Sequence, residues 1–243
     1  GKVRADGYSA LICGYMQDYG HVQNCWSGGS LLQSGNNRVF SMNNPSGEAE
    51  YFVGYDSTLD ISGCFDFNSS VDWYGTDEAK RNQKGVTRDA EIDVNPDASL
   101  VYRRKVSVPE GEELAYGTIC LPFTLVSDYK LKFYTFKEGA DIDGNVVFRF
   151  EDVDTLQAGT PAMFSYTEST DCLEFVSADS RFNGTPAVCQ DDRGKWKCVG
   201  SYASVHLDEG KAYLLSYKDK ALKFRLNNAG NLGACRAYST SDD

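Results

Sequence analysis

Histidine is almost missing from this chain, with two residues, His21 and His206, among 243. A Ser-His-Asp or Cys-His centre needs an imidazole beside its nucleophile. Neither histidine stands in such a motif, and no G-x-S-x-G nucleophile elbow occurs; both are read as structural or exposed. The eight cysteines include no Cys-x-x-Cys spacing, so a zinc site has little to build on, and neither metal nor cofactor is expected. No apolar run approaches the roughly 20 residues of a bilayer-spanning helix, so no membrane insertion is expected. A sustained helical period of apolar residues is also lacking, which argues against helices. Positive charge is scarce: 24 Lys and Arg stand against 35 Asp and Glu, a net charge of −11. Nucleic acid is therefore a poor partner, because each phosphate contact calls for a Lys or Arg. The ordinary reason for such acidity is solubility.

What is present favours strands. Tyr (15), Phe (13) and Gly (23) are common and Met (3) is scarce. From Leu100 onward, short alternating segments are separated by turn signals, about ten strands in all, the pattern of a sandwich or barrel. Leu100–Val106 reads as a strand. Pro122 marks a strand end or edge. Asp143-Gly144-Asn145 sits between Lys130–Phe136 and Val146–Glu151 as a hairpin turn, with Val146, Phe148 and Phe150 on one face. The same segment fails as an EF-hand loop, since Gly144 falls at the fourth place and no Glu follows at the twelfth. Asp191-Asp192 also reads as turn, between Ala187–Gln190 and Lys195–Val199. Ala212–Tyr217 and Ala221–Leu226 form a further hairpin.

Single cysteines are read as small buried hydrophobes, but Cys189 and Cys198 form a special pair. If Arg193-Gly194 is a two-residue turn, the two face each other across the hairpin, and an oxidising compartment permits a disulfide. A three- or four-residue turn is expected to shift the register and to make the bond less favoured.

The first part of the chain contains a repeat. Ala10-Leu-Ile-Cys-Gly14-Tyr15 leads to His21-Val-Gln-Asn-Cys25-Trp26; Tyr51-Phe-Val-Gly54-Tyr55 leads to Leu59-Asp-Ile-Ser-Gly-Cys64-Phe65. Val22 matches Ile61, Cys25 matches Cys64, and Trp26 matches Phe65. Stacked strand-turn-strand units of this kind suit a β-solenoid, with equivalent side chains in ladders. Over residues 8–68 this resembles the GLUG-type repeats of large bacterial surface proteins, especially from gut Bacteroidetes. The segments "VYRRKVSV…YGTICLPF", "KFYTF…GNVVFRF", "LQAGTPAMF", "KAYLLS" and "CRAY" resemble the C-terminal β domain of unknown function that often ends such proteins. The resemblance implies an exported, cell-surface or secreted protein and a β-sandwich; it implies no chemistry. No export signal is read at Gly1, so export rests on the resemblance alone.

The expected fold is thus all-β: a short β-solenoid over residues 1–80, a linker or cap over 81–97, and an antiparallel β-sandwich over 98–243. The expected function is a non-catalytic adhesion or glycan-contact module, whose partner is a glycan or a host or cell-surface protein. Sugars stack on flat rings edged by polar groups, which singles out Trp73 and Tyr74, in the polar segment Ser70–Thr76, and then Trp26 and Trp196. For Trp26, ladder packing opposite Phe65 is the competing reading. Two other classes stay open: a structural stalk or anchoring end of a longer surface protein, and a carbohydrate-active enzyme fragment. The enzyme would need two carboxylates converging in a cleft.

Overall fold

The computed structural model describes residues 99–243, except 144, 180, 219, 220 and 243, and six short strands before them. The chain divides into two compact units, Gly1–Leu100 and Val101–Asp243. Every described element is a strand; among the described residues there is no helix. None, therefore, is long and apolar enough to cross a membrane.

In the first unit the strands are β1 (Lys2–Val3), β2 (Trp26–Ser27), β3 (Ser30–Leu31), β4 (Cys64–Asp66), β5 (Val86–Arg88) and β6 (Ile92–Val94). β1 and β3 pair in parallel. β2, β4 and β5 also pair in parallel: Trp26 lies opposite Phe65, and Phe65 opposite Thr87. The two aromatic positions matched in the sequence repeat are therefore neighbours in one ladder. Cys64 stands opposite Val86 and Asp66 opposite Arg88. These pairs do not by themselves close a coil. Trp73, Tyr74 and Cys25 lie outside the described residues.

The second unit has two larger antiparallel sheets. One contains β8 (Ala115–Ile119), β10 (Leu131–Ile142), β11 (Asn145–Val153) and β13 (Ala162–Tyr166), in the order β11-β10-β13-β8. The other contains β15 (Val188–Gln190), β16 (Trp196–Ser201), β18 (Tyr213–Lys218), β19 (Ala221–Leu226) and β21 (Arg236–Ser241), in the order β15-β16-β21-β18-β19. Three further antiparallel pairings are β7 (Leu100–Val106) with β14 (Thr170–Val176), β9 (Leu125–Val126) with β12 (Thr155–Leu156), and β17 (Val205–Leu207) with β20 (Gly230–Leu232).

Because side chains alternate across a strand, β10 carries Phe133 and Phe136 on opposite faces. Phe133 stands opposite Phe164 of β13, which stands opposite Gly117 of β8. The Phe164 ring occupies the space over Gly117, where a Cβ would lie 2.7 Å from Cε1. Phe175 covers this face, with ring centroids 5.2 Å from Phe164, 6.5 Å from Phe133 and 5.9 Å from Tyr102. On the other face Phe136, Phe148 and Phe150 meet the five-stranded sheet. Phe148 makes edge-to-face contacts with Trp196, Tyr213 and Phe224, and Phe150 stacks on Phe224 at 5.6 Å. Aromatic rings thus cover the four-stranded sheet on both sides, each pair adding roughly 0.5–1.5 kcal/mol beyond its area burial.

Polar contacts tie the rest. Cys120 donates its backbone N–H to the Cys235 carbonyl at 3.3 Å, and Ala237 donates its own to Thr118 Oγ1 at 3.3 Å, which links β8 to β21. Buried Asn227 accepts from the Lys211 and Ala212 N–H groups and donates to the Leu207, Asp208 and Asn228 carbonyls, closing the 207–212 turn. The β10–β11 hairpin turns where expected, with Ile142 opposite Asn145 and Asp143 at φ 52°, as the mirror-type turns of two-residue hairpins require.

Candidate functional site

The site is built by two irregularities in otherwise regular strands. On β10 the register against β11 slips between Phe136 and Glu138, so Lys137 is the extra residue of a β-bulge. A bulge bends its strand and re-aims the side chains around it. Facing it is the turn between β15 and β16. There Gly194 donates its N–H to the Asp191 carbonyl at 2.9 Å and adopts a φ of 69°. Asp191 is buried and ties the turn down from inside. Its N–H donates to the Trp196 carbonyl at 3.0 Å, and its Oδ1 accepts the Trp196 N–H at 3.2 Å.

Between bulge and turn lies a cleft of about 280 Å³, lined by Lys137, Glu138, Gly139, Ala140, Arg149, Asp191, Asp192 and Arg193. Three cations and three carboxylates share it. On the β10–β11 wall, Arg149 Nη1 meets Glu138 Oε1 at 3.1 Å, and its Nη2 lies 3.8 Å from Glu151 Oε1; Lys137 Nζ lies 3.5 Å from Glu151 Oε2. On the turn wall, Asp192 and Arg193 make no hydrogen bond or ion pair among the described residues. One wall is thus internally paired, whereas the tip of the other leaves a carboxylate and a guanidinium exposed. Planar groups of these two kinds form paired hydrogen bonds with good geometric specificity.

Gly139 sets the depth of the cleft. A Cβ there would lie 2.7 Å from Trp196 Cβ and 2.8 Å from its Cδ1, so the indole packs directly on bare backbone. Gly139→Ala should cost about 1–3 kcal/mol, the usual range for overpacking a filled site. A urea midpoint within error of the parent would count against this packing.

Trp196 is 5% exposed, so this ring is core and not a platform for sugar. Trp26 lies in β2, its backbone opposite Phe65. The sequence reading of the 191–195 turn needs one correction. The connection between Asp191 and Trp196 is four residues long, yet Cys189 stands opposite Cys198. Lengthening a hairpin loop by one residue at each end leaves the facing pairs unchanged, so a four-residue turn keeps the match that a two-residue turn gives. Both thiols are free. Burial pushes Cys198 up to about 12, with Cys189 nearby adding to the effect, and burial raises Cys189 as well.

A second, smaller slot of about 120 Å³ has Tyr116, Leu215, Tyr217 and Leu222 in its lining. The Tyr217 hydroxyl donates to Glu112 Oε1 at 3.2 Å across it. This slot is well below the roughly 300–1,000 Å³ of ordinary ligand pockets, whereas the charged cleft lies near their lower end. Among the described residues no group of three or more His, Cys, Asp and Glu is placed to hold a metal ion. Neither the bulge nor the cleft carries a sequence signal beyond Asp191-Asp192, which reads as turn. Comparison with protein-family models, with curated proteins and with solved structures finds no match for this chain.

Proposed function

We propose that the chain is a non-catalytic contact module of an exported surface protein, and that the charged cleft takes a glycan. In this reading the second unit is a β-sandwich, and the first is the end of a β-solenoid of GLUG-like rungs. The parallel pairing of Trp26 with Phe65 supports the rungs. The rings that Phe148 and Phe150 set against Trp196, Tyr213 and Phe224 support the sandwich. The observation that carries the ligand class is the unpaired tip of the turn. Asp192 and Arg193 present an acceptor and a donor fork into an open polar cleft, the chemistry that reads neighbouring sugar hydroxyls. No aromatic ring lines the cleft, so recognition there is by hydrogen bonding; Trp73 and Tyr74 are the stacking candidates elsewhere on the chain.

The test is a glycan array with the full chain, followed by titration of any binder. Arg193→Ala and Asp192→Ala should each weaken binding about tenfold, the loss of one charge-assisted hydrogen bond, with thermal stability unchanged. Trp73→Ala should lower attachment if its ring shares the ligand. An array without a binder, together with unchanged attachment of Trp73→Ala, would overturn the reading in favour of a purely structural stalk.

The second class, a carbohydrate-active enzyme, is favoured by one observation: Glu138, Asp191 and Asp192 line a single cleft. Against it, Glu138 is engaged by Arg149 and Asp191 by the turn backbone. A glycosidase needs two carboxyl groups available for acid and base or nucleophile roles. Hydrolysis of an array glycan that Glu138→Gln abolishes would establish the enzyme.

A further inference from the structure

The hairpin that carries the turn wall holds two cysteines in register, and the hydrogen-bond pattern fixes their spacing. Asp191 bonds to Trp196, and Gly200 donates its N–H to the Ala187 carbonyl at 3.2 Å. Hydrogen-bonded positions alternate along an antiparallel pair, so the position midway between these two, Cys189 opposite Cys198, is hydrogen-bonded as well. Such a pair has its Cα atoms about 5.5 Å apart. That lies within the Cα range of disulfides, roughly 4.4–6.8 Å, while the Cβ atoms of a hydrogen-bonded pair, about 5.5 Å apart, must approach to about 4.5 Å, a shift that falls to the short edge strand β15. The two side chains also point the same way: Cys198 belongs to the cluster of Phe136, Trp196 and Ala237, and Cys189 packs against that cluster.

Access differs between the two. Cys198 is buried in the middle of its sheet, flanked by β15 and β21. Cys189 is half-buried on β15, an edge strand of three residues. Short edge strands open more readily than central ones, so Cys189 is the sulfur a reagent meets first.

We propose that Cys189 and Cys198 are a dithiol that closes to a disulfide when the protein meets a small-molecule disulfide oxidant. The thiolate of Cys189 attacks one sulfur of the oxidant and expels half of it as a thiolate. Cys198, losing its proton, then attacks the Cys189 sulfur and expels the other half. The protein loses two protons and two electrons, and the oxidant becomes two thiols. The bridge clamps the base of the turn that presents Asp191, Asp192 and Arg193, and it needs no ligand in the cleft. Because burial holds both thiols above their ordinary range, closure is slow at neutral pH and accelerates as pH rises and the thiolate population grows.

The experiment uses the full chain with oxidised glutathione in mildly alkaline buffer, quenched and digested without reduction. Trypsin cuts after Arg193, Lys195 and Lys197, so the two cysteines leave in separate peptides, residues 182–193 and 198–211. The expected result is a cross-linked pair of these peptides, split by dithiothreitol and absent from Cys189→Ser. Glutathione held as a stable adduct on Cys189, a bridge from Cys198 to Cys120 instead, or both thiols still free after prolonged exposure would each overturn the proposal. The wild-type map alone decides the question, so it holds even if a variant folds poorly.

Discussion

Trp196→Ala should lower the stability of the second unit by about 3–5 kcal/mol, the range for deleting a large buried aromatic side chain. The indole sits where three supports meet: edge-to-face with Phe148 at 5.4 Å and with Tyr213 at 5.9 Å, and pressed against the backbone at Gly139. Phe136 and Cys198 complete the buried cluster around it. Removing it leaves a cavity that these neighbours cannot all close, because Phe136, Phe148 and Tyr213 are fixed to three different strands. It also removes the inner wall on which the charged cleft rests, so affinity for the glycan proposed above should fall together with stability. Urea unfolding followed by tyrosine fluorescence measures the effect. A loss below about 1 kcal/mol would mean that the two sheets do not depend on this contact.

Phe175→Ala should have an effect of similar size, about 3–5 kcal/mol, through the opposite face of the four-stranded sheet. Phe175 is fully buried and touches Tyr102, Phe133 and Phe164, none of which makes a ring contact with Trp196. Two consequences separate this substitution from the first. Any glycan binding of the kind proposed for the charged cleft should be unchanged under folding conditions, since no ring of this cluster lines it. The double variant should show the sum of the single losses, because sites without shared partners add to within about 0.5 kcal/mol. A marked departure from additivity would show that the β10–β13 layer transmits strain from one face to the other.

Much of the second unit is legible from alternation and turn chemistry. Val146, Phe148 and Phe150 share a face in the sequence and pack against the same buried cluster in the fold. Asp143-Gly144 forecasts a mirror-type turn, and Asp143 has the positive φ that such a turn needs. Phe133 and Phe136 show where this reading stops. Their offset puts them on opposite faces, yet no local pattern says that both faces are covered, because the cover comes from Phe175 and Trp196, far along the chain. The bulge at Lys137 is invisible for a related reason: it is a mismatch between two strands, not a property of either. The cleft inherits that invisibility, since it exists only where the slipped strand faces the Asp191–Gly194 turn. The cysteine pair lies in between. Its register depended on the parity of a loop length, which composition does not reveal.

The parallel ladder of the first unit has a different consequence. Trp26, Phe65 and Thr87 meet as neighbours although the chain between the first two is far longer than that between the last two. Among the described residues each strand of this ladder contributes only two or three residues to the pairing, and long connections add little closure entropy. Segments inserted or deleted between these strands should therefore be accommodated without breaking the ladder. Length variation among related chains should concentrate between the ladder positions, where new surface can be gained while the pairing is kept.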